Sequence, residues 1–403
     1  MPGAMSGGEP VPADGALPES ALGTLGQRPF GVYVHVPFCT TRCGYCDFNT
    51  YTAPELGGDS VSPNSYPSLA IAELGFARKV LSQARVPVST VFFGGGTPTL
   101  LAPSAFGDIL RVIDAEFGLA PGAEVTSEAN PESVTQATLH ELRAAGVTRM
   151  SFGMQSAVPG VLAVLDRVHQ PGRPLECVRW ARAAGFEHVS LDLIYGTPGE
   201  TDDDWRQSLQ AAIGARPDHV SAYALTVEDG TRLAARVRRG ELTAPDDDVL
   251  AGRYVIADDL LTAAGYGWYE ISNWATSALG RCAHNMLYWT GGDWWGVGPG
   301  AHSHVGGTRW WNVRHPAAYG TRIGSGVSPG QAREVLTGAE TRLERVMLLV
   351  RLADGCPLHV LDAASRAAVP GVVADGLATV NDDRLVLTRR GRLLADTVVR
   401  ALT

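Results

Sequence analysis

The stretch HVPFCTTRCGYCDF, residues 35–48, decides the fold of this 403-residue chain. It ends an apolar run and places Cys39, Cys43 and Cys46 in a CxxxCxxC spacing. Thiolates spaced in this way on one short loop can converge on a four-iron cluster while supplying one ligand fewer than its irons require. The spacing therefore predicts a 4Fe-4S cluster with one iron open to a small molecule.

A zinc site and a disulfide framework are the alternative interpretations of the triplet, and both fit poorly. Structural zinc is held by four closed ligands, and no second Cys/His pair follows nearby. Six cysteines in 403 residues are too few for a disulfide-stapled secreted domain. The iron–sulfur interpretation is favoured.

Composition limits the other function classes. The net charge of −9 argues against general nucleic-acid affinity, because phosphate binding needs a basic face. Lys79 is the only lysine, which argues against Schiff-base chemistry and a Walker-type phosphate loop. No run of about 18 apolar residues occurs, so no membrane span is expected. The sparse cysteines predict a cytoplasmic protein with reduced thiols.

The residues from Met1 to about Arg28 are rich in Gly, Pro, Ala and Ser and have no periodicity. They lack a basic start and a continuous apolar segment, which a signal peptide would have. We expect a flexible N-terminal tail over residues 1–28.

Short apolar strands alternate with helical segments along the first two thirds of the chain. The predicted strands are Gly31–Phe38, Thr90–Gly94, Glu124–Ala129, Arg149–Met154, His188–Tyr195 and His219–Leu225. The predicted helices are Ser104–Phe117, Ser133–Ala145, Leu175–Ala184 and Asp203–Ala215. About six such units imply an α/β fold with a parallel sheet that right-handed crossovers curl into a partial, open (β/α)6 barrel. Active residues should lie at the carboxyl ends of its strands.

Polar or glycine-rich signals follow several of these strands. A glycine run, Gly94–Gly95–Gly96–Thr97–Pro98, follows the second strand and would let backbone approach a ligand closely, although a simple tight turn has the same composition. Glu128 ends the third strand, Gln155 ends the fourth and Asp192 lies in the fifth. Polar residues in apolar strands need partners. These partners are either a ligand or other groups inside the barrel.

The cysteine loop resembles the signature of the radical S-adenosylmethionine (SAM) superfamily. The resemblance implies that the open iron binds the amino and carboxylate groups of SAM. It also implies that the glycine run, with Gly95, Gly96 and Thr97, contacts the SAM methionine. The remaining pocket residues implied by it are Glu128, Gln155, Arg167 and Asp192 around the SAM ribose and carboxylate, with Tyr33 near the cluster.

Within the superfamily, the motifs YVHVPFC, FFGGGTPTLL, SFGMQS and DLIYGTPGET resemble the group that contains oxygen-independent coproporphyrinogen III oxidase and the HemW-type haem chaperones. The oxidases typically have a further cysteine two residues after the third ligand, where this chain has Phe48. The segment 282–289, CAHNMLYW, matches the HNxxYW motif of the chaperones. Both features favour the chaperones.

The resemblance suggests His284 as an axial ligand of haem, since imidazole commonly ligates haem iron. The alternative is that His284 and Trp289 only pack a loop against the barrel. Cys282 is a second candidate, either as a haem ligand or as a covalent attachment point for haem. Cys177 and Cys356 are expected to be ordinary buried cysteines. The surrounding region, which includes GVGPGAHSH at 296–304, is predicted to be rich in aromatic residues and poor in strands.

The C-terminal part, from about Thr337, has a different sequence pattern and is predicted to form a winged-helix-like lobe. A helix over Arg342–Leu352 precedes two short strands that turn at Asp382–Asp383. DNA binding is one interpretation of such a lobe, but its charges nearly balance, so a structural or partner-docking role is preferred. The predicted domains are a tail over 1–28, a barrel over 29–265, a haem-binding or linker region over 266–336 and the lobe over 337–403.

The resemblance therefore implies a chaperone that binds haem, a 4Fe-4S cluster and SAM, and delivers haem to an acceptor protein. Coproporphyrinogen oxidase activity is not expected. The alternative is a coproporphyrinogen III dehydrogenase, which would use SAM cleavage to decarboxylate propionate side chains oxidatively. A transcription factor with a redox cluster is a third class, and the full set of SAM-site residues disfavours it.

Overall fold

The computed structural model describes residues 8–57, 61–81 and 86–403. Its strands are β1 Glu9–Pro10, β2 Phe30–Val36, β3 Val88–Gly95, β4 Leu119–Ala129, β5 Arg149–Gln155, β6 His188–Tyr195, β7 His219–Ala224, β8 Gly267–Glu270, β9 Asn273–Ala275, β10 Asp293–Val297, β11 His302–Val305, β12 Thr308–Asn312, β13 Gly330–Val335, β14 Cys356–Pro357, β15 Ala378–Asn381 and β16 Arg384–Leu387.

The α-helices are α1 Glu19–Leu22, α2 Ala53–Leu56, α3 Tyr66–Val80, α4 Pro103–Phe117, α5 Gln136–Ala144, α6 Pro159–Val164, α7 Arg173–Ala183, α8 Asp202–Ala215, α9 Arg232–Arg238, α10 Asp247–Ala263, α11 Ala283–Trp289, α12 Pro316–Gly324, α13 Gly338–Leu349, α14 Ala363–Ala374, α15 Arg389–Leu393 and α16 Ala395–Leu402. Short 3₁₀ helices cover Pro98–Leu100, Pro131–Ser133 and Leu358–Val360. None of the helices in the described ranges is long and apolar enough to span a bilayer.

One large sheet organises the chain, in the order β1-β13-β12-β11-β10-β2-β3-β4-β5-β6-β7-β9-β8. Strands β2 to β7 are parallel neighbours in chain order. Helices α3, α4, α5, α7 and α8 lie in the five connections between them, and one large hydrophobic cluster fills the space between helices and sheet. The prediction of an α/β fold with a partial, open six-unit barrel is confirmed.

Three helix-to-strand turns share the sequence Ala-Ala-Gly, and each has its glycine in the left-handed region. The φ angles are +108° at Gly146, +87° at Gly185 and +88° at Gly265. These values are strained for residues with a side chain, which explains why glycine ends each of these helices.

The prediction of few strands over residues 266–336 is wrong. Six strands, β8 to β13, lie there, and β10 pairs in parallel with β2 as a seventh parallel strand. Each of these strands is six residues or shorter, and short glycine-containing turns join β10 to β11 and β11 to β12. Their stability depends on pairing with residues far away in the chain, which local periodicity does not reveal.

The prediction of a flexible tail does not hold for residues 8–28, while residues 1–7 lie outside the described range. Strand β1 pairs with β13, and Arg333 forms an ion pair of 2.7 Å with Glu9. Ala21 on α1 is fully buried. A Gly/Pro-rich composition gives no helical or strand period, but this segment gains its order by covering the edge of the sheet.

The C-terminal residues form a small antiparallel sheet, β14-β16-β15, with α13, α14 and α16 around a hydrophobic cluster of their own. Asp382 and Asp383 have φ of +47° and +58°, as a two-residue hairpin turn between β15 and β16 requires. Met286 and Trp289 of α11 pack against this cluster. The lobe therefore contacts the barrel through the HNxxYW helix.

The floor segment, residues 279–289, closes the amino end of the barrel. Its anchor is the buried ion pair between Glu124 and Arg149, whose charged atoms are 2.8 Å apart. Glu124 accepts the N–H groups of Ala283 and His284 at the start of α11, each at 3.1 Å. Arg149 donates to the backbone carbonyls of Leu279, Gly280 and Arg281. This pair therefore fixes where α11 enters the barrel.

Glu124→Ala should lower the free energy of unfolding by about 3–5 kcal/mol, because it leaves the Arg149 charge buried without its partner. Asp108→Ala is the matched control, since it removes the exposed Asp108–Arg111 pair and should cost less than about 1 kcal/mol. Urea denaturation of the two variants checks this. Equal losses would show that the Glu124–Arg149 pair does not anchor the floor.

Candidate functional site

The cysteine loop leaves the carboxyl end of β2 and is fastened to the turn after β3. The N–H groups of Gly96 and Thr97 donate to the carbonyls of Val36 and Phe38 at 2.8 and 2.7 Å. The N–H of Cys39 donates to the carbonyl of Tyr51 at 3.0 Å. The loop is thus held at both ends, and its three thiols stand at the open rim of the barrel.

All three predicted cluster thiols are free and partly exposed. Burial raises the pKa of Cys39 above its ordinary value and that of Cys46 to about 11. The Arg167 guanidinium donates to the Cys43 sulfur at 3.4 Å, and its Nε is buried without a partner in the described part of the chain. A cation beside three thiols suits an anionic iron–sulfur cluster. These residues therefore fit the predicted group.

Two further observations describe the surroundings of the three thiols. In the described ranges, no three His, Cys, Asp or Glu side chains lie close enough together to hold a single metal ion. A depression of about 460 Å³ lies beside the loop. Cys43, Cys46, Arg42, Thr231 and Arg232 are among its lining residues, and the predicted SAM residues are not. The depression therefore lies outside the barrel interior, between the loop and the start of α9.

The glycine run is required by close packing. A Cβ on Gly95 would lie 2.6 Å from the His35 ring, and one on Gly96 would collide with the carbonyl of Phe38. Gly95 also has a φ of +104°. Thr97 is buried, and its hydroxyl lies 3.9 Å from the Cys39 sulfur. The run therefore joins β3 to the cysteine loop, whether or not it also contacts a ligand.

The predicted polar residues come together at the carboxyl ends of β4, β5 and β6. Glu128 accepts one hydrogen bond, from the N–H of Gly95 at 3.2 Å. Burial and the neighbouring Asp192 raise the pKa of Glu128 to about 8. Asp192 accepts hydrogen bonds from the hydroxyls of Ser151 and Ser221, both at 2.8 Å, and burial raises its pKa. Barrel hydrogen bonds thus account for Asp192, whereas Glu128 keeps capacity for a ligand.

Gln155 and Arg167 complete the same rim. Gln155 ends β5 in the left-handed region with a φ of +60°, and the Arg167 guanidinium donates to the carbonyl of Gly153 at 2.9 Å. A Cβ on Gly153 would meet the Gln155 amide at 2.8 Å and the Arg167 guanidinium at 3.4 Å. Gly153 therefore lets both side chains approach the strand.

Tyr33 lies deeper in the barrel than its predicted place beside the cluster. Its hydroxyl is 3.0 Å from His35 Nδ1, and its ring stacks on Phe92. The other ring nitrogen of His35 is 2.9 Å from the Asn49 carbonyl. His35 therefore links Tyr33 to the loop that follows the cysteines.

His284 is not placed to ligate haem iron in this structure. Its side chain is buried inside the barrel, with Nδ1 2.8 Å from the Thr90 hydroxyl and Nε2 2.7 Å from the Tyr288 hydroxyl. Both ring nitrogens are therefore occupied, and burial lowers the pKa of His284 to about 4. Cys282 is also buried, with its thiol 3.5 Å from Glu124. The packing alternative therefore describes His284 in this structure, and Cys282 is enclosed in the same way.

Several residues that hold the site together were not predicted from the sequence. Asn130 donates to the Thr97 hydroxyl at 2.9 Å, and Asn49 donates to the carbonyl of Pro299 at 3.0 Å. Glu73 on α3 is fully buried and accepts the N–H of Gly298 at 2.7 Å. Burial raises the pKa of Glu73 to about 7. Asn130 follows Glu128 in the chain and had a signal, but Glu73 lies in an ordinary helical pattern and had none.

Replacing Cys39, Cys43 or Cys46 by Ala should abolish the visible absorption of the reconstituted protein and most of its iron, because each thiol is proposed to ligate one iron. Cys177→Ala is the matched control, since Cys177 is buried on α7 away from the rim. Iron analysis after anaerobic reconstitution measures the result. A triple variant that kept about four irons per chain would disprove the ligand set.

Glu128→Gln should stabilise the ligand-free protein increasingly as the pH rises from about 5 to about 8. The raised pKa means that folded Glu128 keeps a proton that the unfolded chain releases, so the wild type loses stability over this range. The gain should exceed about 1.4 kcal/mol, the equivalent of one pKa unit. Urea denaturation at several pH values measures it.

The same variant should bind SAM about tenfold more weakly or worse, because a hydrogen bond to a charged group contributes about 1.5–3 kcal/mol. Glu141→Gln, at an exposed position of α5, is the control for both measurements. Unchanged SAM affinity by calorimetry would make Glu128 a structural residue only.

Comparisons with known proteins find similar sequences along most of the chain. Residues 33–212 match the family model of the radical SAM superfamily. A Mycobacterium tuberculosis protein named heme chaperone HemW is 55% identical over 381 residues, which cover 94% of this chain and 96% of that protein. The Bacillus subtilis heme chaperone HemW is 30% identical, with 92% of this chain and 98% of that protein covered.

Among solved structures, coproporphyrinogen III oxidase (HemN) from Escherichia coli superposes with a TM-score of 0.80 and covers 97% of this chain and 94% of that one. The two sequences are 20% identical, so this likeness shows the shared fold alone. The sequence matches, rather than the shared fold, identify the family within the superfamily. On their evidence the chain belongs to the HemW family of the radical SAM superfamily.

Proposed function

We propose that this chain is a haem chaperone, which binds haem and delivers it to an acceptor protein with the help of a 4Fe-4S cluster and SAM. The observation that carries the proposal is the 55% identity, over 94% of the chain, to a protein named heme chaperone HemW. The match extends through the floor segment and most of the C-terminal lobe as well as the barrel. It therefore includes the parts in which a chaperone would differ from other barrels of this fold.

The rim residues have distinct roles in this proposal. Cys39, Cys43 and Cys46 would hold the cluster, which when bound supplies one-electron chemistry and an iron open to SAM. Arg167 would place positive charge against the thiolates, since it already donates to the Cys43 sulfur. Gly95, Gly96 and Thr97 would let SAM approach the backbone of the rim.

Glu128 would accept hydrogen bonds from SAM, because only one of its acceptor positions is used by Gly95 within the described residues. Gln155 and Asp192 would border the same pocket. SAM is a cation, and its positive charge would favour the ionised form of Glu128.

The remaining parts of the proposal concern the cellular compartment, the class of partner and the absence of oxidase activity. We place the protein in the cytoplasm, where reducing conditions keep thiols free, and all six cysteines in the structure are unpaired. The net charge of −9 supports a protein or haem partner rather than nucleic acid. Phe48, which is 47% exposed beside the cysteine loop, supports the absence of coproporphyrinogen oxidase activity, since the oxidases typically have a cysteine there.

The reconstituted protein should bind haem at about one per chain and should not decarboxylate coproporphyrinogen III under reducing, anaerobic conditions with SAM. Haem absorption after gel filtration measures the first property, and porphyrin chromatography measures the second. Wild-type HemN assayed in parallel is the positive control for decarboxylation. Protoporphyrinogen formation at catalytic turnover, with no haem retained, would replace the proposal by the dehydrogenase alternative.

A further inference from the structure

The chain has ten histidines, and their surroundings decide which of them could offer a nitrogen to haem iron. A ligand of this kind needs an accessible ring nitrogen that is not already hydrogen-bonded to the protein. Five histidines fail this requirement, because they are buried and bonded through the ring. They are His35, His169, His219, His284 and His304.

Most of the other histidines are placed elsewhere. His140 lies on the outside of α5, and His359 lies in the C-terminal lobe. His188 begins β6, at the amino end of the barrel. His315 is exposed near the rim, and its Nδ1 accepts the N–H of Ala317 and caps α12, so only its Nε2 is open. It follows β12 and lies outside the sheet, so it does not share the inner face of the barrel strands.

His302, the first residue of β11, meets the requirement. The residue is exposed to solvent although its ring is partly covered by neighbouring residues, and within the described residues neither ring nitrogen takes part in a hydrogen bond. The imidazole stacks on the Trp311 indole, with ring centroids 6.0 Å apart and an angle of 24° between the planes. Trp311 therefore supports the ring in one orientation and leaves its nitrogens open.

Strand register places His302 on the inner face of the sheet. Tyr33, an inner-face residue of β2, is aligned with Gly296 of β10. Trp294 lies two residues before Gly296 and is aligned with His304 of β11, so both face inwards. His302 lies two residues before His304 and shares that face.

A continuous row of aromatic rings, the aromatic wall, leads from the barrel interior towards this position. It consists of Phe92, His284, Tyr288, Trp294 and His304, with consecutive ring centroids between 4.6 and 5.2 Å apart. Flat aromatic surfaces favour contact with a planar macrocycle. The indole N–H of Trp294 in this wall donates to the carbonyl of His302 at 2.9 Å, so the wall adjoins the strand position that carries the His302 ring.

The charges near His302 suit an anionic ligand. Arg314 is exposed and forms no ion pair within the described ranges. Arg309, in contrast, forms ion pairs with Glu334 and Glu344. Partial burial, Arg314 and Arg309 lower the pKa of His302, which keeps the imidazole neutral as metal ligation requires. A free guanidinium can pair with a carboxylate such as a haem propionate.

We propose that His302 ligates the iron of the haem that this chain carries, with Trp311 orienting the imidazole and Arg314 pairing with a propionate. The inference rests on the proposed function, because it names the ligand site of the same haem. It assigns His284 a different part, as a buried member of the aromatic wall.

The test is a haem titration of the full-length, cluster-reconstituted protein, followed by absorption and electron paramagnetic resonance spectroscopy. His302→Ala should change the ligation spectrum and weaken haem binding at least about tenfold, the equivalent of about 1.4 kcal/mol. Free imidazole should restore the wild-type spectrum to this variant. His302→Cys should give a thiolate-type spectrum. His315→Ala, at an exposed position of the same rim, is the matched control and should leave the spectrum unchanged.

The outcomes separate this inference from the proposed function. If the wild type retains haem and His302→Ala has the same spectrum and affinity, the inference is wrong and the proposed function stands. If the wild type retains no haem, both are wrong. Because His302 is exposed, the variant should keep the melting temperature of the wild type, so a loss of haem binding cannot be attributed to unfolding.

Arg314→Ala should weaken haem binding about three- to tenfold without changing the ligation spectrum, since a partly exposed ion pair contributes less than a metal bond. Arg314→Lys should restore part of the affinity. Arg322→Ala, which removes a cation from neighbouring helix α12, is the control and should have no effect on haem. Unchanged affinity in Arg314→Ala would remove Arg314 from the proposed site.

Discussion

The backbone contact between the end of β2 and the glycine turn after β3 is the constraint on which the rest of the site depends. Gly96 and Thr97 donate their N–H groups to Val36 and Phe38, and a side chain at Gly96 would push the two segments apart. Because of this contact the Thr97 hydroxyl lies near the Cys39 sulfur, and Asn130 reaches Thr97 from the next strand. The end of β2, the turn after β3 and the end of β4 are thereby held in one rim.

A second constraint acts at the opposite end of the barrel. The buried pair of Glu124 and Arg149 ties the floor segment to the sheet, and α11 then places His284 against Thr90 and Tyr288. Trp289, on the other side of the same helix, packs against the C-terminal lobe. The HNxxYW helix therefore connects the barrel interior with the lobe, so its residues have a structural role that a motif alone does not reveal.

The electrostatics of the rim are poised for charged ligands. Burial and the neighbouring Asp192 raise the pKa of Glu128 to about 8, so the two adjacent carboxyl groups do not both carry a negative charge near neutral pH. Arg167, whose charge also acts on Asp192, donates to the Cys43 sulfur. A cationic ligand is matched to the carboxylates, and an anionic cluster is matched to the guanidinium.

The sequence by itself determined the barrel, the cysteine loop and the residues of the rim, because these depend on local signals. Six parallel strands were predictable from apolar runs between helical periods, and strand direction then placed Glu128, Gln155 and Asp192 at one edge. Only the tertiary structure decided the seventh parallel strand, since β10 pairs with β2 across more than 250 residues of chain. The tertiary structure alone also decided which histidines are buried and which have accessible ring nitrogens. His284 and His302 have similar sequence surroundings, rich in aromatic residues, but burial and hydrogen-bond partners come from strands and helices that are distant in sequence, and these enclose one imidazole and leave the other open.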